Sequence, residues 1–147
     1  MPLIYCITNG NKKILRQNQE LLAHLKAFFG DSFQIYRSRQ TQEAIAFIHQ
    51  LDAQCTHLIC VGGDGTFLRT AGYLNQENHP LIIGVNSVPS KSVGALCSIK
   101  VEDFEQKIKS IVEQDFTTKK LYRIKTTING EHTPFEAIND ILFTNIS

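Results

Sequence analysis

The 147-residue chain carries almost no net charge: fifteen basic residues stand against fourteen acidic ones, giving +1 with neutral histidines. That balance excludes a global electrostatic pull toward nucleic acid or an anionic membrane, so recognition of any polyanion has to be local. Of the four cysteines, Cys6, Cys55, Cys60 and Cys97, none forms a Cys-x-x-Cys pair. A zinc site or disulfide framework is not expected. Cys6 and Cys60 fall inside apolar, strand-like runs, the setting of buried reduced thiols in a reducing compartment. No stretch approaches the roughly 20 apolar residues of a membrane span. The start, Met1-Pro2-Leu3-Ile4-Tyr5-Cys6-Ile7, lacks a basic segment and is too short for a secretory signal, so a cytoplasmic location is expected. The histidines offer no metal-ligand spacing. His24, His49, His79 and His132 read as surface positions, and His57 as a solvent-facing residue ahead of a strand. No residue is singled out as a metal ligand. The main cationic cluster, Lys119-Lys120 with Arg123 and Lys125, reads as a solvated face beside a strand.

What is present is an ordinary globular composition, 42% apolar and 20% charged, enough for one domain or for one domain and the start of a second. Residues 3–8 form an unbroken apolar run that stops at Asn9-Gly10-Asn11, the pattern of a buried strand ending in a turn. Residues 12–29 carry Ile14, Leu21, Leu22, Leu25, Phe28 and Phe29 at helical spacing, with Gly30 as the C-cap. A short strand over 32–37, a helix over 41–51, a strand over 58–61, a helix over 67–74 and a strand over 81–85 follow. Apolar strands alternating with helices predict an α/β fold, a parallel sheet with helices on both faces. Ligands of such sheets bind beyond the carboxyl ends of the strands. The loops at 9–11, 62–66 and 86–94 are all expected on that edge.

The pattern changes after residue 100. A helix over 102–113 is followed by alternation through Leu121, Arg123-Ile124, Thr126 and Ile128, then by Asn129-Gly130, a strong hairpin signal. The returning strand is expected over 135–146. The division is therefore an α/β nucleotide-binding domain over 1–100. Residues 101–147 read as a linking helix and the first hairpin of an incomplete, truncated β-rich second domain.

The chemistry concentrates in Gly62-Gly63-Asp64-Gly65-Thr66, between the apolar run His57-Leu58-Ile59-Cys60-Val61 and Phe67-Leu68-Arg69-Thr70-Ala71. Glycines let backbone N–H groups approach a phosphate, and a helix N-terminus favours its charge. A carboxylate there is unwelcome for anion binding alone, so Asp64 suggests a further task, taking a proton from an attacking hydroxyl or holding a metal. Its bland alternative is a turn aspartate capping the next helix. Thr66 suits either an N-cap or a phosphate ligand, and Arg69 either a phosphate or solvent. Two familiar phosphate loops are excluded. The P-loop needs a terminal Gly-Lys-Ser/Thr, and G-x-G-x-x-G fails because Thr66-Phe67-Leu68 follows Gly65.

Gly62-Gly63-Asp64-Gly65-Thr66-Phe67-Leu68-Arg69 resembles the signature of NAD kinases, whose Gly-Gly-Asp-Gly-Thr core is shared with diacylglycerol and sphingosine kinases and more loosely with phosphofructokinases. Pro80-Leu81-Ile82-Ile83-Gly84-Val85-Asn86 and Ala137-Ile138-Asn139-Asp140-Ile141 are similar to later stretches of the same family. The resemblance implies a Rossmann-like, phosphofructokinase-like kinase domain. It also implies phosphoryl transfer from ATP or polyphosphate to the 2′-hydroxyl of the adenosine ribose of NAD, with a divalent metal, Mg2+, as cofactor. It makes Asp64 the catalytic base and assigns NAD and phosphate contacts to Gly62, Gly63, Gly65, Thr66, Arg69, Asn86, Asn139 and Asp140. Asp140 stands where glutamate is usual, and the 86–96 loop replaces the commoner Asn-Thr-Gly-x-Leu-Gly-Phe run. The implied partners are NAD and ATP or polyphosphate, with neither nucleic acid nor membrane, and a homo-oligomer for the full-length parent; the 147-residue chain by itself is expected to be weakly active or inactive. Two other functions fit the loop: a diacylglycerol- or sphingosine-type lipid kinase domain, and a nucleotide-binding module without transfer. Phe67-Leu68-Arg69-Thr70 counts against the lipid kinase, which would continue into a polar Asn-Glu pair.

Overall fold

The computed structural model describes residues 3–9, 16, 19–30, 33–38, 46–49, 55–74, 80–87, 89–90, 93–139 and 141. Five strands, β1 (Leu3–Asn9), β2 (Phe33–Ser38), β3 (Cys55–Gly62), β4 (Leu81–Asn86) and β5 (Ile99–Lys100), form one sheet in the order β2-β1-β3-β4-β5. Every pairing is parallel. The strand at the centre of this order, β3, is buried along most of its length. Leu58, Ile59, Cys60 and Val61 are all fully buried, as a strand covered on both faces requires.

Two apolar clusters show which helix covers which face. Ile59, Val61 and Val85 pack with Leu21, Leu22 and Leu25 of α1 (Gln19–Phe29) and with Phe104 and Ile108 of α3 (Phe104–Val112). Leu58 and Cys60 pack with Phe67 and Ala71 of α2 (Asp64–Tyr73), with Cys97, and with Phe47 from the helical turn at 46–49. The alternation of β3 side chains between the two groups is the period-2 geometry of a strand. Leu21, Leu25 and Phe29 in α1, like Phe104, Ile108 and Ile111 in α3, recur at helical intervals that keep one face on the sheet. Burying each such side chain contributes roughly 1.5–3 kcal/mol. Gly30, at φ +59°, ends α1 in the left-handed conformation that glycine adopts without strain.

Several elements differ from the sequence expectation. The third strand and α2 leave almost no loop between them, because α2 begins at Asp64 and not at Phe67. Gly63 closes the first turn by accepting from the N–H groups of Thr66 (3.0 Å) and Phe67 (3.3 Å). The C-terminal hairpin exists, with Asn129 and Gly130 both at positive φ, but its strands β6 (Thr127–Ile128) and β7 (Glu131–His132) are two residues each. The 121–126 stretch contributes one antiparallel bridge, Ile124 to Ala137. The expected strands over 32–37 and 81–85 are found as β2 and β4. Of the expected helix at 41–51, the described part is 46–49; of the expected strand over 135–146, residues 135–139 and 141 are described and contribute only the Ala137 bridge.

The segment around that bridge packs on α2. Phe135 stacks edge-on to Tyr73 at 4.9 Å and lies over Gly72, where an added Cβ would run into its ring. The Glu136 N–H donates to the Gly72 carbonyl at 3.0 Å, and Ile138 joins the α2-side cluster. No helix among the described residues is long and apolar enough to cross a membrane.

Candidate functional site

The strand order reverses between β1 and β3: the chain leaves β1 for β2 on one side, then returns to continue through β3, β4 and β5 on the other. A crevice is expected outside the carboxyl ends of the strands at such a switch point. The 62–66 loop follows β3 at that place. Register pairs Gly62 with Asn86, so the ends of β3 and β4 emerge together, and the Ser87 N–H donates to the Gly62 carbonyl at 3.1 Å.

Each glycine of the loop has a separate function. A Cβ on Gly62 would collide with the Thr66 hydroxyl, so its bareness lets the first helical turn fold back over the strand end. Gly63 is the N-cap residue, extended at φ −102°, with no side chain capping the helix. Gly65 is exposed and faces open space, with nothing within 4 Å of where a Cβ would sit. A ligand can therefore approach the backbone of Gly65 closely.

Asp64 is the first residue of α2 and does not cap it. Its carboxylate reaches across to the turn that precedes β5. The Ala95 N–H donates to Oδ2 at 2.9 Å, and the N–H groups of Leu96 and Cys97 donate to Oδ1 at 2.9 and 3.0 Å. The Cys97 amide, aided by those of Leu96 and Ala95 and opposed by partial burial, holds the Asp64 carboxyl below its ordinary value. It also lies at a helix N-terminus, where negative charge is favoured.

Thr66 is the third residue of α2 and not its N-cap; its carbonyl accepts from the Thr70 hydroxyl at 2.8 Å. Arg69, further along the helix, is exposed. Asn86 is 4% exposed and its side chain abuts Gly94, which stands at φ +71°. Gly62, Gly63, Asp64, Gly65, Thr66 and Asn86 therefore lie together. Asn139 is exposed beside Ile138, and Asp140 lies outside the described residues.

Two groups have surroundings that the sequence pattern did not reveal. His57 is the third residue of β3 rather than a solvent-facing residue ahead of it. It borders a cleft of about 1260 Å³ between the β4 edge and the 115–121 segment, and burial lowers its pKa. Arg123 is no part of a solvated face. It donates to the Ala71 and Leu74 carbonyls (3.3 and 2.7 Å) at the C-terminus of α2 and pairs with Glu136 at 3.1 Å, both side chains mostly buried. Only the opposite charge of Glu136 hinted at this.

Cys55, Cys60 and Cys97 are buried free thiols. Burial pushes Cys60 up to about 12 and, together with the Asp64 charge, Cys97 up to about 11. Among the described residues, no three His, Cys, Asp or Glu side chains are grouped to hold a metal.

A model of the ATP-NAD kinase N-terminal domain matches residues 9–116. Among similar proteins, a probable NADH kinase of Oryza sativa subsp. japonica is 33% identical over 113 residues, covering 67% of this chain and 33% of the relative. An NAD kinase of Porphyromonas gingivalis is 30% identical over 93 residues, 63% of this chain and 31% of the relative. NAD kinase 2 of Oceanobacillus iheyensis is 29% identical over 84 residues, 57% of this chain and 30% of the relative. No solved structure matches. The chain spans about a third of the length of the curated relatives it matches. Since the family model covers well over half of the chain, and its span contains the glycine loop and the sheet edge that bears it, the chain belongs to the ATP-NAD kinase family through its N-terminal domain.

Proposed function

We propose that the chain is the nucleotide-binding part of an NAD kinase. The reaction is transfer of a phosphoryl group from ATP or polyphosphate to the 2′-hydroxyl of the adenosine ribose of NAD, giving NADP. The observation that carries this reading is the 62–66 loop, where a fixed carboxylate, Asp64, stands beside an unobstructed Gly65 at the carboxyl edge of a parallel sheet. In this reading the sheet is Rossmann-like and of the phosphofructokinase-like kinase kind, supported by its strand order and two covered faces.

Asp64 orients the ribose hydroxyl and receives its proton. A new O–P bond forms at the ribose oxygen as the bond from the γ-phosphorus to the ADP oxygen breaks. Such a transfer is mostly positioning and charge neutralisation, so one held carboxylate suffices on the acceptor side. Gly62, Gly63 and Gly65 let phosphate and ribose approach the backbone, with Thr66 and Arg69 beside them. Asn86, Asn139 and Asp140 belong to the NAD contacts, Asn86 from the end of β4 beside the 62–66 loop. A divalent metal supplies charge neutralisation to the phosphates when bound. The buried thiols suit a cytoplasmic setting.

A nucleotide-binding module without transfer is the second reading, favoured by the three amides already on the Asp64 carboxylate. A coupled assay for NADP formation from NAD, run with ATP and then with polyphosphate, separates the two. NADP formation supports the kinase. NAD binding without NADP under either donor supports the module.

A further inference from the structure

The three amides on Asp64 arrive in a particular order, and the order selects an atom. A carboxylate oxygen has two lone-pair directions. Among the described residues, Oδ1 receives both Leu96 and Cys97, so its acceptor capacity is filled, while Oδ2 receives Ala95 alone and keeps one direction open. Successive N–H groups converging on one anion form a backbone nest, a stiff anchor because each donor is fixed by its own peptide plane.

This nest is itself held from three sides. Gly94 at φ +71° turns the chain into it, in a conformation that disfavours any residue with a Cβ. A Cβ there would also meet the Cys97 carbonyl at 2.7 Å and the buried Asn86 side chain. From the sheet, Gly84 lets the turn lie directly on β4: a Cβ on Gly84 would meet the Leu96 carbonyl oxygen and the Cys97 Cα, each at 2.7 Å. Cys97 is 1% exposed and packs in the α2-side cluster, which ties the end of the nest to the core.

We propose that the 94–97 turn is the positioning element of the acceptor site, pinning Asp64 so that Oδ2 is the one carboxylate oxygen open to the acceptor hydroxyl. Gly94 and Gly84 are positioning residues that act through the turn, and the Asn86 side chain packs against Gly94 from the end of β4. This inference rests on the kinase reading for the identity of the hydroxyl, but the nest can be tested without it.

The test is NMR of the 15N- and 13C-labelled chain. Among the described residues, Cys97 carries the ionisable group coupled to Asp64. Burial first, and then the Asp64 charge, keep that thiol neutral through an acid titration. The Asp64 carboxyl carbon and the Ala95, Leu96 and Cys97 amides are therefore expected to titrate together, with one midpoint below the usual carboxyl value of about 3.9. Gly94→Ala is expected to raise that midpoint and break the common titration, while the Ile59 and Val85 amides stay in place. Should this variant unfold, the wild-type titration still decides: separate midpoints, or one at or above the usual value, would overturn the nest. Adding NAD is expected to shift the Ala95 amide, which shares Oδ2, by at least roughly twice as much as Leu96 and Cys97, since a new donor on one oxygen weakens its existing hydrogen bond. A larger response at Leu96 and Cys97, or NAD binding with Ala95 unmoved, would overturn the choice of Oδ2. Failure of NAD to bind at all would sink the kinase reading and the role of Oδ2 with it, leaving the common titration as proof of the nest alone.

Discussion

Replacing Arg123 by alanine tests how the C-terminal segment holds the helix that bears the glycine loop. The guanidinium joins three acceptors: the Ala71 carbonyl at 3.3 Å, the Leu74 carbonyl at 2.7 Å and the Glu136 carboxylate at 3.1 Å. Arg123 and Glu136 are 18% and 15% exposed, so the pair sits between a solvated bridge of little value and a fully buried one. Arg123→Ala leaves the Glu136 charge without its partner and two helix-terminal carbonyls without their donor. Hydrogen bonds from charged groups contribute about 1.5–3 kcal/mol each, and the strong 2.7 Å bond dominates here, so a loss of about 2–4 kcal/mol is expected after allowing for partial exposure. For a chain of this size that is a fall of roughly 5–15 °C in Tm, read by circular dichroism. Glu136→Gln keeps the shape and its own N–H bond to Gly72, so it is expected to cost about 1 kcal/mol. The double variant should recover part of the Arg123→Ala loss, because the stranded charge is gone. A loss below about 1 kcal/mol for Arg123→Ala, with strict additivity in the cycle, would refute the clasp.

Other outcomes follow from the same contacts. Gly72→Ala drives a methyl into the Phe135 ring and toward the Glu136 carbonyl, and is expected to destabilise by about 1–3 kcal/mol in urea unfolding. Gly65→Ala meets open space inside a helix, so stability is expected to hold or rise by up to about 1 kcal/mol. NADP formation should nevertheless fall roughly a hundredfold as the methyl displaces the ribose; unchanged turnover would remove Gly65 from the site. Because burial lowers the His57 pKa, its contribution is full above the ordinary value of 6.5 and declines as pH falls below it, where the unfolded chain binds the extra proton. Asp64, also depressed, keeps its contribution above the ordinary carboxyl range and loses it only as pH falls through its lowered folded value. Urea midpoints measured downward from about pH 8 should therefore drop in two stages, and His57→Gln should erase the first.

Much of the architecture was legible because it depends on local pattern. Unbroken apolar strands alternating with amphipathic helices lead to a parallel sheet, and Asn129-Gly130 leads to a hairpin turn through its positive φ values. The loop at 62–66 was legible because three glycines and a carboxylate after a buried strand form a rare combination. Features that depend on tertiary approach were not legible. The partners of Asp64 are main-chain N–H groups 31 to 33 residues away, and such groups leave no mark on residue identity. Only Gly94, with its left-handed φ, records that the turn exists. Arg123 looked like one cation in a basic cluster because its acceptors are helix-end carbonyls, available only once α2 and the 123–137 segment meet. The sequence pattern places the start of α2 at Phe67 because glycine is a poor helix former; the helix instead takes Gly65 into its first turn, where the Gly63 carbonyl accepts from Thr66 and Phe67.

The most direct test of the central claim is the rate of NADP formation from NAD by Asp64→Asn beside the unaltered protein, with folding checked by circular dichroism. Asparagine keeps the shape but not the charge. The reading expects a folded variant whose NADP formation, with ATP or polyphosphate, lies below that of the unaltered protein by roughly two orders of magnitude or more. A folded Asp64→Asn protein that still converts NAD at a rate near that of the unaltered protein would contradict it.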